Sequence, residues 1–203
     1  MPSASSSSRR VLVLATLNPA KGRELVALLG EIPVEIRLLA DVPGARLPDE
    51  TGATYADNAL VKARTAAELT GALSLGDDSG LEVDALGGEP GLYTARFGGL
   101  GLDDRGRWQL LLERLRGVPP ARRTARFRCV IALAGPAFGE KVVEGVAEGV
   151  IAEAPRGSSG FGYDPVFFFP PLGRTFAELS DQEKAQVSHR GLALAAARRL
   201  LTG

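Results

Sequence analysis

The sequence predicts an α/β fold with a mixed β-sheet and flanking helices, and three observations carry that prediction. Val11-Leu12-Val13-Leu14-Ala15 is a continuous apolar run, as in a strand buried on both faces, and a helix signature follows it at once. Thr54 to Thr70 bears Ala and Leu throughout and stops at Gly71, the pattern of a long helix with a glycine terminus. From Thr124 to Ala134 apolar residues alternate with Arg126 and Arg128. A second run, Glu140 to Ile151, pairs with it as a hairpin across Gly135-Pro136-Ala137-Phe138-Gly139.

The remaining elements follow in order. Asn18 as N-cap, Pro19 at the first helical position and Gly30 past the last turn frame a first helix. Val34 to Leu39 reads as a strand, and Ala72 to Leu75 as a short strand leading into Asp77-Asp78. Residues 86 to 101 are glycine-rich loops, and Asp103 to Arg116 is a helix burying Leu111, Leu112 and Leu115. Pro165 to Phe169 is an apolar strand, Ser180-Asp181-Gln182-Glu183 has capping-box form, and Leu192 to Leu201 is a terminal helix. Residues 1–9 are a serine-rich tail expected to be disordered, and residues 10–203 a single domain.

Composition removes several function classes. Lys plus Arg and Asp plus Glu number 24 each, so the net charge is zero, against the basic excess that a duplex nucleic-acid binder needs to neutralise phosphates. One cysteine, Cys129, and one histidine, His189, can build neither a disulfide framework nor a zinc site. A metal, if used, takes oxygen ligands, which points to magnesium or manganese. The apolar runs are too short to span a membrane and no export signal is evident, so a cytoplasmic protein with no membrane partner is expected.

Four segments could carry chemistry. Thr16-Leu17-Asn18-Pro19-Ala20-Lys21 joins a strand to a helix start, where orphan N–H groups and the Lys21 charge suit phosphates; taken alone, it reads rather as a capped helix with a surface lysine. Asp77-Asp78-Ser79-Gly80 offers adjacent carboxylates for a metal or for activating water, or forms a solvated turn. Ser158 to Pro165 places Phe161 between glycines, suited to stacking on a base, or is a turn whose Tyr163 packs on the core. Lys184 with Ser188-His189-Arg190 gathers donors for an anion or a base carbonyl, or is an ordinary helix start. Glu50-Thr51-Gly52 and Asp57-Asn58-Ala59 read as turn and cap residues.

In this order the segments resemble the inosine triphosphate pyrophosphatase family, the Ham1-like house-cleaning enzymes. The likeness runs from Val11 to about Leu201. It includes Thr16-x-Asn18-x-x-Lys21, Glu50-Thr51-Gly52, Asp57-Asn58-Ala59 with Lys62-Ala63, Asp77 to Gly80, and Gly87-Gly88-x-Pro90-Gly91 with Ala95-Arg96. It continues through Gly160 to Pro165, Ala177-Glu178-Leu179, Glu183-Lys184 and Ser188 to Gly191. Asp57 stands where the family commonly has Glu, and the serine tail is extra.

The resemblance implies a mixed-sheet fold of two lobes with the active cleft between them, usually a homodimer. It also implies Mg²⁺-dependent hydrolysis of ITP, dITP and XTP to the monophosphate and pyrophosphate. Carried over, Asp78 is the catalytic carboxylate and a metal ligand, Glu50 a second metal partner, and Ser79 a substrate contact. Thr16, Asn18 and Lys21 form the phosphate loop, and Phe161 stacks on the purine. Gly162, Tyr163 and Asp164 shape the base and sugar pocket, and Lys184, His189 and Arg190 recognise the base. Inosine and xanthine carry a carbonyl at position 6 where adenine carries an amine, so donors there favour the former. Guanine shares that carbonyl, so its 2-amino group has to be excluded by other contacts. The competing readings are a related Maf-type pyrophosphatase for modified pyrimidine nucleotides and a non-catalytic nucleotide binder. The Phe-Gly-Tyr-Asp and Ser-His-Arg segments oppose the first, and retention of Glu50 and Asp78 opposes the second.

Overall fold

The computed structural model describes residues 10–203; the tail expected over residues 1–9 lies outside the described residues. The elements are β1 (Arg10–Leu14), α1 (Pro19–Leu29), β2 (Val34–Leu38), α2 (Tyr55–Thr70), β3 (Leu73–Val83) and α3 (Asp104–Arg114). They continue with β4 (Thr124–Gly135), β5 (Gly139–Ile151), β6 (Phe167–Phe169), β7 (Arg174–Thr175), α4 (Asp181–Val187) and α5 (His189–Thr202). The strands form one seven-stranded sheet in the order β2-β1-β3-β4-β5-β6-β7. β1 pairs in parallel with β2 (Leu12 opposite Ile36) and with β3 (Leu14 opposite Leu75), whereas β6 runs antiparallel to β5 and β7. The sheet is therefore mixed, as the apolar runs and the hairpin predict.

By its contacts the chain divides into two compact units. The first comprises residues 10–77, Ile131–Val143 and Leu194–Gly203; the second comprises Asp78–Val130 and Glu144–Ala193.

In the first unit Leu12, Val13, Leu14 and Ala15 are all buried, and Val13 and Ala15 pack with Leu39 and Ala66. That is what a strand covered on both faces requires of a continuous apolar run. α2 begins with a full capping box: the Thr54 hydroxyl accepts the Asp57 N–H, and the Asp57 carboxylate accepts the Thr54 N–H at 3.1 Å. It ends at Gly71 in the left-handed conformation, φ 66°. α2 lies directly on β3 at Gly76, where a Cβ would stand 2.2 Å from the Ala59 carbonyl oxygen; no residue but glycine lets helix and strand approach so closely.

The second unit has an aromatic core. Phe167 and Phe176 are fully buried, with ring centroids 4.8 Å apart, and Phe127 lies 4.6 Å from Phe167. Leu81, Val83, Leu111, Leu115, Ile151 and Tyr163 pack with them. Arg126 and Arg128, the polar alternates of β4, form an ion-pair ladder: Arg126 meets Glu82, Asp84 and Glu148, and Arg128 meets Glu82 and Glu144.

Three elements differ from the sequence expectation. β3 does not stop at Leu75 but continues through Asp77-Asp78 to Val83. Glycine and aspartate are poor strand formers; the pairing with β1 reaches only Leu75, and β4, the neighbour on the other side of β3, is the strand left to override that local preference beyond it. β6 is confined to Phe167–Phe169, because Tyr163–Val166 closes a turn in which Val166 and Phe167 both donate to the Tyr163 carbonyl. α5 starts at His189 rather than Leu192; the Ser188 hydroxyl accepts the Gly191 N–H at 3.1 Å and starts the helix ahead of its glycine.

Candidate active site

In the first unit the β1–α1 junction is built as the Asn-Pro signature dictates. The Asn18 carboxamide accepts the Lys21 N–H at 3.2 Å, and the Thr16 hydroxyl accepts the Asn18 N–H at 3.1 Å. Thr16 is buried, and Lys21 sends its ammonium to the Asp77 carboxylate at 2.8 Å. Asp77 is only 1% exposed, so it meets the Lys21 charge in a poorly solvated setting.

The same unit holds a second lysine–carboxylate pair. Lys62, buried on α2, reaches Glu50 at 2.6 Å. The Glu50-Thr51-Gly52 turn is tied to α2 because the Gly52 N–H donates to the Asn58 side chain at 2.8 Å. The first unit thus fixes two ammonium groups, each carrying three donors, beside two carboxylates. Asp57 belongs to the cap of α2, as its turn-and-cap reading proposes.

Period-2 alternation along β3 separates the two aspartates. Asp78 shares a sheet face with Gly76, and Asp77 points to the opposite face. Asp78 is buried, and its Oδ1 accepts the Ser79 N–H at 3.0 Å. The Ser79 hydroxyl accepts from Arg190 Nη2, also at 3.0 Å.

Within the second unit that arginine stands with two other predicted residues, Phe161 and Lys184. Arg190 lies over the Phe161 ring at 5.7 Å and Lys184 Nζ over it at 5.0 Å. The ring is 53% exposed and so offers a face beneath two cations. Lys184 pairs with the buried Asp164 at 2.6 Å, and the same Asp164 oxygen accepts the Phe161 N–H at 2.9 Å. Gly160 (φ +77°) is required here, since a Cβ would stand 2.1 Å from that oxygen. His189 is buried and stacks on Phe127, centroids 4.6 Å apart and planes at 11°.

Tyr163 belongs to the core cluster beneath this loop and donates to the Thr94 carbonyl at 3.0 Å. Burial pushes its phenol well above the ordinary tyrosine value, which keeps the donor proton in place. The core reading of Tyr163 is therefore realised. α4, which carries Lys184, is held by Glu183. The Arg174 guanidinium first, and then the Ser180 N–H and hydroxyl, lower that carboxyl to about 2.

Sequence reasoning missed two participants. Lys62 was legible only as part of a motif, because nothing in a helical lysine announces a carboxylate 12 residues before it. Asp104 accepts the Gly162 N–H at 2.8 Å, yet in the sequence it is one of two acids at a helix start.

Among the described residues no three of His, Cys, Asp and Glu stand together as a metal cage. Magnesium commonly uses one or two carboxylates and takes its other ligands from water and substrate phosphates. The buried carboxylate of Asp78 and the carboxylate of Glu50 are each the kind of hard oxygen donor that such coordination uses.

The Ham1 family model matches residues 12–200. This chain belongs to the Ham1 family. It is 50% identical over 190 residues to the dITP/XTP pyrophosphatase of Desulforamulus reducens, covering 94% of each chain. To a dITP/XTP pyrophosphatase of Thermus thermophilus it is 53% identical over 185 residues, 91% of this chain and 88% of that one. Among solved structures, a HAM1 protein from Coxiella burnetii superposes with a TM-score of 0.86 at 41% identity, covering 95% of this chain and 98% of that chain. The dITP/XTP pyrophosphatase of Mycobacterium abscessus gives 0.76 at 47% identity over 92% and 98%. The open mixed sheet of this chain is the Ham1 fold.

Proposed function

We propose that this chain hydrolyses the non-canonical purine nucleoside triphosphates ITP, dITP and XTP to the monophosphate and pyrophosphate, with Mg²⁺. The observation that carries the reading is the half-exposed Phe161 ring lying beneath Lys184 and Arg190. A purine stacks on such a ring, and N–H donors at its edge pair with a 6-carbonyl and leave a 6-amine unmatched. Each buried mismatch costs about 1–3 kcal/mol, so two or three suffice to reject adenine. The family's curated members named above for dITP and XTP support the same substrate class.

The residue roles follow from chemistry. Thr16, Asn18 and Lys21 take the phosphates at the start of α1, where helix dipole and ammonium both favour negative charge. Lys184, His189 and Arg190 read the base, Ser79 contacts the substrate, and Gly162, Tyr163 and Asp164 shape the pocket around Phe161. Asp78 and Glu50 would hold the magnesium, which when bound neutralises phosphate charge. Asp78 orients the attacking water and accepts its proton. The water oxygen bonds to the α-phosphorus, the bond from that phosphorus to the bridging oxygen breaks, and pyrophosphate leaves with the electron pair.

Pyrophosphate release measured on ITP, XTP, dITP, ATP and GTP, with Mg²⁺ and with a chelator, tests this. Release from the first three, lost on chelation, is expected. Equal rates on ATP and ITP would sink the specificity, and no release from any nucleotide would favour a binding protein. No helix among the described residues is long and apolar enough to cross a membrane. A cytoplasmic homodimer belongs to the same proposal. Sedimentation equilibrium giving the 21.3 kDa mass of one chain at micromolar concentration would remove the dimer.

A further inference from the structure

Phe161 is half exposed, so packing beneath Lys184 and Arg190 does not alone set the attitude of its ring. The backbone that carries the ring contributes as well. Gly160 and Gly162 flank it, both in the left-handed region with φ of 77° and 60°, and glycine gives that backbone wide freedom. Two carboxylates remove the freedom. Asp164 accepts the Phe161 N–H at 2.9 Å, and Asp104 accepts the next amide, Gly162 N–H, at 2.8 Å.

Asp104 does not cap the helix in which it stands. The N-cap of α3 is Asp103, whose side chain accepts the Gly106 N–H at 2.7 Å. Asp104 instead reaches a loop 58 residues further along the chain. Its Oδ1 faces Arg107 at 3.7 Å, one turn on, while Oδ2 takes the glycine amide. Arg107 is only 14% exposed and so braces the carboxylate from the helix side. A carboxylate accepting a backbone N–H makes a charge-assisted bond, stronger than a neutral one.

We infer that Asp104 is a positioning residue for base recognition: by pinning the Gly162 amide it fixes the Phe161 ring in the attitude that a purine stacks on. Asp104 touches no substrate; it acts through the loop and lowers the ordering that a bound base would otherwise have to impose. The inference rests on the reading of Phe161 as the purine platform, and the experiment separates the two.

Asp104→Ala is compared with wild type in ITP kinetics, in inhibition by inorganic tripolyphosphate, which has no base, and in amide hydrogen exchange of the segment 160–163. KM for ITP is expected to rise on the order of ten-fold with kcat within about two-fold, since ground and transition states lose the same stacking. The tripolyphosphate inhibition constant stays unchanged, and exchange at the loop amides accelerates. Asp104→Asn, which keeps an acceptor oxygen, recovers part of the KM. In a Phe161→Ala background the Asp104→Ala effect on KM largely vanishes. Unchanged exchange, an unchanged KM, an equal loss of tripolyphosphate binding, or full additivity with Phe161→Ala would each overturn the positioning role. If wild type releases no pyrophosphate from ITP, the proposed function fails, and loop exchange still decides whether Asp104 pins the platform.

Discussion

Lys21→Met is the sharpest test of the charge arrangement in the first unit. The substitution keeps the length of the side chain and removes the ammonium that stands 2.8 Å from Asp77. Asp77, 1% exposed, is then left as a buried carboxylate without that cation. Removing one partner of a buried pair costs about 3–5 kcal/mol. The lysine end is a quarter exposed, so the lower end, about 3 kcal/mol, is expected. That is a large share of a total stability of about 5–15 kcal/mol, and for a chain of this size it lowers Tm by roughly 6–12 °C.

Asp77→Asn is milder, about 1–2 kcal/mol, because the stranded Lys21 can turn to water and the amide oxygen still accepts from it. The double variant, with neither charge of the pair left, recovers most of the Lys21→Met loss, so the two changes are strongly non-additive. Urea denaturation of the four proteins at pH 7, read as shifts in the midpoint at constant slope, measures all three quantities. A Lys21→Met cost below about 1 kcal/mol, or additivity within about 0.5 kcal/mol, would refute the argument that Asp77 depends on Lys21 for its charge balance.

The other expectations are simpler. Asp78→Asn lowers kcat for ITP by about 10²–10⁴-fold, the span of a lost general base, with an unchanged urea midpoint; near-normal kcat would remove Asp78 from the chemistry. Phe161→Ala raises KM for ITP through lost stacking and leaves tripolyphosphate inhibition alone; an unchanged KM would take the ring out of the base pocket. Glu183 is held at about 2 against an ordinary value of 4.5. A lowered carboxyl contributes stability above its unfolded value and loses it as pH falls towards its folded one. Acid titration of Tm should therefore show a fall between about pH 4.5 and 2 that is shallower in Glu183→Gln, and superimposable curves would refute it.

Local signals that depend on neighbours in sequence were legible. The Asn18-Pro19 start, the Ser180 capping box and the Gly71 stop all occur as their residues dictate, because a cap is closed within four residues. The buried run of β1 and the Arg-bearing alternation of β4 were legible for the same reason. The extent of β3 was not. Its Gly-Asp-Asp-Ser-Gly stretch has turn composition, and only pairing with strands distant in the chain makes it extended. Partners across long separations were likewise hidden. Nothing near Asp104 in sequence indicates Gly162, and nothing near Ser79 indicates Arg190, 111 residues away. Ordered motifs mark the candidate residues, whereas the contacts joining Ser79, Arg190, Phe161, Lys184 and Asp164 exist only in the folded chain.

The continuation of β3 through Asp77-Asp78 changes what that pair can do. On a turn, two adjacent carboxylates could converge on one cation. On a strand they cannot, since consecutive side chains leave opposite faces of the sheet. Each aspartate therefore has its own environment. Asp77 faces Lys21 and sets the position of an ammonium at the start of α1. Asp78 has a short-range bond to the Ser79 N–H, and Ser79 in turn holds Arg190, which lies over the Phe161 ring. Separation across the sheet also relieves the repulsion that would otherwise push one of two converging carboxylates towards protonation. One peptide bond thus joins a carboxylate that positions the Lys21 ammonium to the buried carboxylate for which a metal and water role is proposed. The different stability and activity signatures of Asp77→Asn and Asp78→Asn follow from that alternation alone.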